Sequence, residues 1–243
     1  MKPTRPNCPA AFLKPALLVL LALLSAPAFF GCAHHQKADC CAPAPVIAAS
    51  ATPTPTPTFE GDTLALFDGK TLAGWKETDF GGNGQVEIKD GQIILHMGTM
   101  TGVTWTNGAI LPRANYEIQL EAMRVEGSDF FCGLTFPIGQ EPCSLIIGGW
   151  GGGLVGLSSI DGDDAANNNT TRNMVFDNGR WYAIRLRVTP KKIEAWIDKD
   201  KVVDVDTEDK KFSVRFEVEP SIPLGIATYA TTGALRNIRL KKL

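Results

Sequence analysis

The stretch Tyr116-Glu-Ile-Gln-Leu-Glu-Ala122 decides the fold class. Tyr116, Ile118, Leu120 and Ala122 alternate with Glu117, Gln119 and Glu121, so one face is apolar and the other polar. A period of two is the signature of a half-buried strand, because successive side chains point to opposite faces of a sheet. The same pattern recurs downstream. Tyr182, Ile184, Leu186 and Val188 alternate with Ala183, Arg185 and Arg187, and Ile193, Ala195 and Ile197 alternate with Glu194 and Trp196. Asp198-Lys-Asp200 then reads as a turn before a return strand carrying Val202, Val203 and Val205. Upstream, Lys89-Asp90-Gly91 between Val86, Ile88 and Ile94 is a hairpin signal, since Asp-Gly tolerates the positive φ angles of a tight hairpin turn. Ile238 and Leu240 end the chain on a further alternating strand. No run of a dozen residues carries a helical apolar stripe, and 23 of the 24 glycines lie at or beyond residue 59. Short strands at regular spacing with glycine-rich turns predict an all-β domain, a β-sandwich of two antiparallel sheets.

The whole chain has 243 residues, 24 basic and 26 acidic side chains and 44% hydrophobic residues. The absence of a basic excess excludes a nucleic-acid binder, and the apolar content excludes overall disorder. These averages hide a division. Residues 59–243 hold 20 basic and 25 acidic side chains, whereas residues 1–58 are nearly uncharged. Residues 1–32 read as an export signal: Lys2, Arg5 and Lys14 precede the unbroken apolar run Ala16-Leu-Leu-Val-Leu-Leu-Ala-Leu-Leu24, too short to span a bilayer comfortably. Two processing routes stay open. Gly31-Cys32 after an apolar run resembles a bacterial lipobox, which would make Cys32 a lipidated residue and anchor the protein to a membrane. Ala26-Pro-Ala28 is an ordinary cleavage site, which would release a secreted protein. A third reading retains the segment as an N-terminal anchor helix; all three export the domain. Residues 33–58 form a Pro/Thr/Ala-rich linker ending in Thr52-Pro-Thr-Pro-Thr-Pro-Thr58, extended because proline fixes φ and removes amide donors. His34, His35, Cys40 and Cys41 lie in it at spacings unlike those of structural zinc sites.

The segment Leu66-Phe-Asp-Gly-Lys-Thr-Leu-Ala-Gly-Trp75 resembles the opening motif of the 3-keto-disaccharide hydrolase family. Lys89-Asp-Gly-Gln-Ile93, the Tyr116 strand, Gly179-Arg-Trp-Tyr-Ala-Ile184, Ile193-Glu-Ala-Trp-Ile-Asp198 and Leu235-Arg-Asn-Ile-Arg-Leu240 resemble its later segments, so the resemblance spans about residues 62–242. It implies a concanavalin-like jelly roll and hydrolysis of 3-keto-glycosides. Oxidation at C3 of a sugar acidifies the C2 proton, so a base can remove it while an acid assists departure of the C1 substituent. The family has a carboxylate in the Tyr116 strand, which makes Glu121 the expected catalytic base. Asp129 is the expected acid or substrate ligand, with Trp150 stacking on the sugar and Arg172 binding it. The chain also departs from the family. Many members have an Arg after paired phenylalanines, an acidic residue opening the next strand and a His near the last hairpin. Here those places read Phe130-Phe131-Cys132, Cys143-Ser-Leu-Ile-Ile147 and Tyr229-Ala-Thr231.

Alternation adds candidates of its own. Glu117, Gln119, Glu121, Arg185, Arg187, Glu194 and Trp196 all face away from the core. Arg185 and Trp196 are expected on a sugar-binding face; the same composition suits a solvated face with cross-strand ion pairs. The run Gly148-Gly-Trp150-Gly-Gly-Gly153 cannot be stable helix and lets backbone approach a ligand closely. Asp161, Asp163 and Asp164 offer oxygen ligands for an irregular Ca²⁺ site, against the plainer reading of a polar turn. His96 is the domain's single histidine, at a strand end. Cys132 and Cys143 are its two cysteines, and export favours a disulfide between them. A hairpin turning at Gly139-Gln140 would leave them four residues apart, roughly 13 Å, while a turn nearer Pro137-Ile138 would set them opposite. Three functions remain: an exported hydrolase of 3-keto-glycosides, a non-catalytic laminin-G-like module binding a glycan at the cell surface, or a structural envelope protein displayed on its linker.

Overall fold

The computed structural model describes residues 57–243. The signal segment, Cys32, the His/Cys cluster of the linker and most of the proline run lie outside the described residues. In chain order the strands are β1 (Phe59–Glu60), β2 (Thr63–Ala65), β3 (Trp75–Glu77), β4 (Val86–Lys89), β5 (Gln92–Leu95), β6 (Met100–Trp105), β7 (Tyr116–Gly127), β8 (Cys132–Ile138), β9 (Glu141–Gly148), β10 (Leu154–Ser158), β11 (Arg172–Asn173), β12 (Trp181–Val188), β13 (Lys192–Ile197), β14 (Asp200–Asp206), β15 (Gly225–Tyr229) and β16 (Thr231–Lys242). They form two antiparallel sheets. One runs β1-β2-β16-β7-β12-β13-β14, with the β4–β5 hairpin joined to it through β16. The other runs β11-β10-β9-β8-β15-β6-β3. This is the expected jelly-roll sandwich.

Tyr116, Ile118, Leu120 and Ala122 of β7 are buried, as are Tyr182, Ile184, Leu186 and Val188 of β12. β7 and β12 are neighbours, with Leu120 opposite Ile184 and Ile118 opposite Leu186. These side chains share one core cluster with Leu134, Phe136, Leu145, Ile147, Val155 and Leu157 of the second sheet. The core therefore lies between the sheets, and each sheet keeps an outer face. Lys89 pairs with Gln92 across Asp90-Gly91, both at positive φ, so Asp-Gly closes the hairpin as its turn chemistry requires. Asp198 likewise turns at φ 52° between β13 and β14.

The β8–β9 hairpin settles the cysteines. Cys132 pairs with Ile147 and Cys143 with Phe136, so the turn falls at Gly139-Gln140 and the two thiols stay four residues apart along the same face. The expected disulfide is not formed; both are buried thiols. Burial pushes each pKa up to about 12, for Cys143 against weaker lowering by backbone hydrogen bonds, which leaves them inert as nucleophiles.

Candidate saccharide site

The outer face of the nine-stranded sheet carries the residues that alternation singled out. Arg185 lies directly opposite Trp196, and its guanidinium sits 3.7 Å from the indole centroid. Lys201 approaches the same ring at 5.1 Å. Glu117, 7% exposed at its side chain, takes hydrogen bonds from Arg185 and Arg187. Glu121 is bonded to Arg236, whose guanidinium stacks on Trp181 at 4.0 Å. A shallow depression of about 570 Å³ lies among Gln119, Glu121, Arg185, Asp198 and Arg239. Trp196 and Trp181 each already carry a cation, and the carboxylates Glu117, Glu121 and Asp198 each have an arginine. The arrangement is a cross-strand ion-pair lattice of the kind that stabilises a wet sheet face. Trp196 and Arg185 satisfy each other.

The outer face of the seven-stranded sheet differs. A groove of about 290 Å³ is lined by Met100, Asp129, Phe130, Ser144, Ile146, Trp150, Ser158, Arg215, Glu217, Val218 and Tyr229. Its floor comes from β6, β9 and β10, its walls from the loop before β8, the glycine turn after β9, the 3-10 turn Phe216–Ser221 and the end of β15. Trp150 and Tyr229 are 46% and 42% exposed, which is high for such large aromatic groups. Phe130 backs Tyr229, ring centroids 5.9 Å apart and 26° from parallel.

The glycine run is what presents Trp150. Gly148, Trp150, Gly151 and Gly152 all have positive φ, between 47° and 107°. A Cβ at Gly148 would meet the Phe131 ring at 2.9 Å, and one at Gly152 would meet Arg124 and the Ser128 carbonyl. Only glycine makes this left-handed turn without clash. Trp150 is the one side chain in it, held in a backbone region that costs roughly 1–2 kcal/mol for a non-glycine residue. Two side chains hold the turn. Arg124, buried, donates to the Gly152 carbonyl at 3.1 Å, the Phe176 carbonyl at 2.6 Å and Asn178 Oδ1 at 2.8 Å. Asp129 accepts the Gly151 amide on Oδ2 at 3.0 Å and the Phe130 amide on Oδ1 at 2.8 Å. Its backbone is tied to Thr231 Oγ1 at 3.0 Å. The carboxylate is thus fixed at the groove wall beside Trp150.

On the opposite wall Arg215 grips Glu217 with two nitrogens, Nη2–Oε1 at 2.7 Å and Nε–Oε2 at 3.3 Å, and donates from Nη1 to Asp164 Oδ2 at 3.1 Å. The Arg215 hydrogen bonds hold the Glu217 carboxyl below the usual glutamate range, and Glu217 in turn raises the guanidinium's pKa. Arg215 and Glu217 are functional candidates that the sequence reading missed. They sit in an irregular segment with no motif, and only the fold brings them to the groove.

The remaining expected site residues separate. Asp129 and Trp150 share the groove, whereas Glu121 lies on the other sheet, beyond the core. Arg172 is exposed on the short edge strand β11 and does not line the groove. The three aspartates do not make a cation cage. Asp161 accepts the Lys211 amide and faces Lys210, Asp164 is committed to Arg215 and to its own turn, and no cluster of three potential ligands occurs among the described residues. His96 bonds Glu87 at 2.9 Å at a strand end.

Comparisons with known proteins bear on the fold and the family. Among solved structures, the Crh5 transglycosylase in complex with NAG aligns over 78% of this chain and 87% of its own, at 11% identity and a TM-score of 0.51. Domain 4 of AbnA, a GH43 extracellular arabinanase from Geobacillus stearothermophilus, in complex with arabinotriose, aligns over 69% and 82% at 14% identity and a TM-score of 0.47. Carbohydrate binding module CBM66 from Bacillus subtilis aligns over 70% and 96% at 12% identity and a TM-score of 0.47. At such identities the Crh5 likeness is one of fold. No curated protein matches the chain. The sequence from 62 to 241 matches the 3-keto-alpha-glucoside-1,2-lyase-like domain, and the chain therefore belongs to that carbohydrate-active family.

Proposed function

We propose that the domain binds a 3-keto-glycoside in the groove of the seven-stranded sheet and cleaves its C1–O bond by elimination. The convergence of Asp129, Trp150, Tyr229 and Arg215 in one groove carries this reading. Trp150 and Tyr229 offer open aromatic faces to the apolar faces of a sugar ring. Asp129 is a carboxylate on a rigid mount, within the groove and placed to take the C2 proton. As that C–H bond breaks, its electrons form an enolate with the C3 carbonyl. The enolate collapses to a C1–C2 double bond and the C1 oxygen leaves, taking its proton from water in the open groove. Addition of water to the unsaturated sugar completes a net hydrolysis. Arg215, oriented by Asp164 and Glu217, supplies positive charge at the opposite wall. The N-terminal features support an exported protein, held to a membrane through Cys32 or released.

A second reading, a non-catalytic glycan-binding module, is favoured by one observation. Two of the places where the chain departs from its family reach this groove, at Ser144 and Ile146 and at Tyr229, whereas Cys132, which follows the paired phenylalanines, is buried in the core. Apolar or small residues stand where polar ones are expected. Kinetics on a 3-keto-disaccharide separate the two. Asp129→Asn keeps one acceptor for the Trp150 turn, and its kcat is expected to fall by about 10²–10⁴, the usual contribution of a general base. Full turnover by that variant removes Asp129 as the base. Saturable binding by the wild type with no turnover supports the module instead.

A further inference from the structure

A row of hydroxyls on the outer face of the seven-stranded sheet runs into the groove, where Ser144 and Ser158 line the floor. Thr135 of β8, Ser144 of β9 and Ser158 of β10 are in register on the outer face, Thr135 opposite Ser144 and Ser144 opposite Ser158. All three residues are at most 1% exposed. Thr135 Oγ1 and Ser144 Oγ are hydrogen-bonded at 2.8 Å, whereas Ser158 Oγ is buried without a partner. Among the described residues one other buried side-chain atom shares that state, Ser221 Oγ, and Ser221 does not line the groove. A buried hydroxyl has lost its water, and native proteins rarely leave one unpaired without a functional reason.

We propose that Ser158 and Ser144 donate together to one substrate oxygen, the C3 carbonyl of the 3-keto sugar. The assignment rests on the function proposed above and names the groups that hold the developing enolate. The hydrogen inventory suits it. If Thr135 donates to Ser144, the Ser144 hydrogen is left to donate, and the Ser158 hydrogen has no other acceptor. A carbonyl oxygen only accepts, so it matches two donors. Directly opposed residues on neighbouring strands have Cβ atoms about 4.5–5.5 Å apart, so one oxygen between them can lie within about 2.7–2.8 Å of both hydroxyls. Ser158 lines the groove although its Oγ is buried, so the assignment requires its hydroxyl to turn about χ1 toward the bound oxygen. When Asp129 takes the C2 proton, the electron pair of that bond moves into C2–C3 and the carbonyl π pair moves onto the C3 oxygen. Donors at that oxygen gain strength as its charge grows. The electrons return when the C1–O bond breaks, so no oxidant or reductant is needed.

The test is steady-state kinetics of full-length Ser158→Ala and Ser158→Cys on a 3-keto-glucoside, with thermal unfolding measured alongside. Ser158→Ala is expected to lose about 10²-fold in kcat, the scale for removing one such donor, with a much smaller change in KM. Its unfolding midpoint should hold or rise, because the atom removed has no protein partner. Ser158→Cys, nearly isosteric but a weaker donor, should fall between alanine and wild type. A kcat for Ser158→Ala within twofold of wild type overturns the assignment and leaves the functional reading standing. So does a lowered unfolding midpoint with kcat and KM impaired together, the pattern of a structural role. A wild-type protein that neither binds nor turns over the 3-keto-glucoside overturns the functional reading and this assignment with it.

Discussion

Replacing Trp150 by alanine should weaken saccharide binding by a calculable amount. The indole is 46% exposed, and a tryptophan side chain presents up to about 250 Å². Roughly 115 Å² of it therefore faces the groove mouth and solvent before a ligand binds. A stacked sugar ring covering about two-thirds of that area removes roughly 75 Å², worth about 1.9 kcal/mol at 25 cal/mol per Å². The expected loss is then about 25-fold in Kd. The backbone term nearly cancels, because alanine at φ 47° bears the same left-handed strain as tryptophan. Arg124 and Asp129 still hold the turn through its carbonyl and amide groups, so the groove wall should remain in place. Isothermal titration with a 3-keto-disaccharide, or with its C3-hydroxyl parent to avoid turnover, measures the change directly. An affinity within twofold of wild type would refute the reasoning, since it would mean that the indole stacks on no ligand.

Further outcomes follow from the same geometry. Glu121→Gln should leave kcat and KM within about twofold and lower stability by no more than about 1 kcal/mol, the worth of a half-exposed ion pair such as that with Arg236; a large loss of turnover would return catalysis to the nine-stranded sheet. Glu217 has a folded pKa below its ordinary 4.5, so the stability it contributes is present above that value and is lost as pH falls through the depressed folded value. The unfolding midpoint of Glu217→Gln should accordingly lie below wild type at neutral pH and converge with it in strong acid, and a gap that widens on acidification would contradict the Arg215 pairing. Cys132 and Cys143 should resist alkylation in the native state and react on denaturation, as read by peptide mass spectrometry. Recovery of a Cys132–Cys143 disulfide peptide would show that the β8–β9 register is wrong.

Alternation in Tyr116–Ala122, Tyr182–Val188 and Ile193–Ile197 made the nine-stranded sheet legible, including which residues share its outer face. That sheet has one wet face, so its strands write the period of two plainly. The charged, aromatic face stayed open between a sugar site and an ion-pair face, because periodicity shows that side chains share a face and not whether they already satisfy one another. Trp196 was visible in the sequence; the Arg185 stacked on it was visible only as a neighbour. The seven-stranded sheet was harder to read. β8 and β9 are covered on both faces near the groove, so Phe130-Phe-Cys-Gly-Leu-Thr-Phe136 and Cys143-Ser-Leu-Ile-Ile147 run nearly continuously apolar and conceal which side is open. Trp150 stood out because five glycines surround it, and Asp129 because it precedes the paired phenylalanines. Arg215, Glu217, Ser158 and Tyr229 reach the groove from distant segments without a shared motif: the sheet order β10-β9-β8-β15 brings Ser158 and Tyr229 together, and the segment at the 3-10 turn Phe216–Ser221 adds Arg215 and Glu217.

The central claim is that the saccharide sits on the seven-stranded sheet. A crystal structure of the Asp129→Asn variant soaked with a 3-keto-disaccharide tests it most directly. The account predicts a sugar ring against Trp150 and Tyr229, with C2 facing residue 129 and the C3 oxygen over Ser144 and Ser158. A ring seated instead among Glu121, Arg185 and Trp196, on the opposite side of the core, would contradict it.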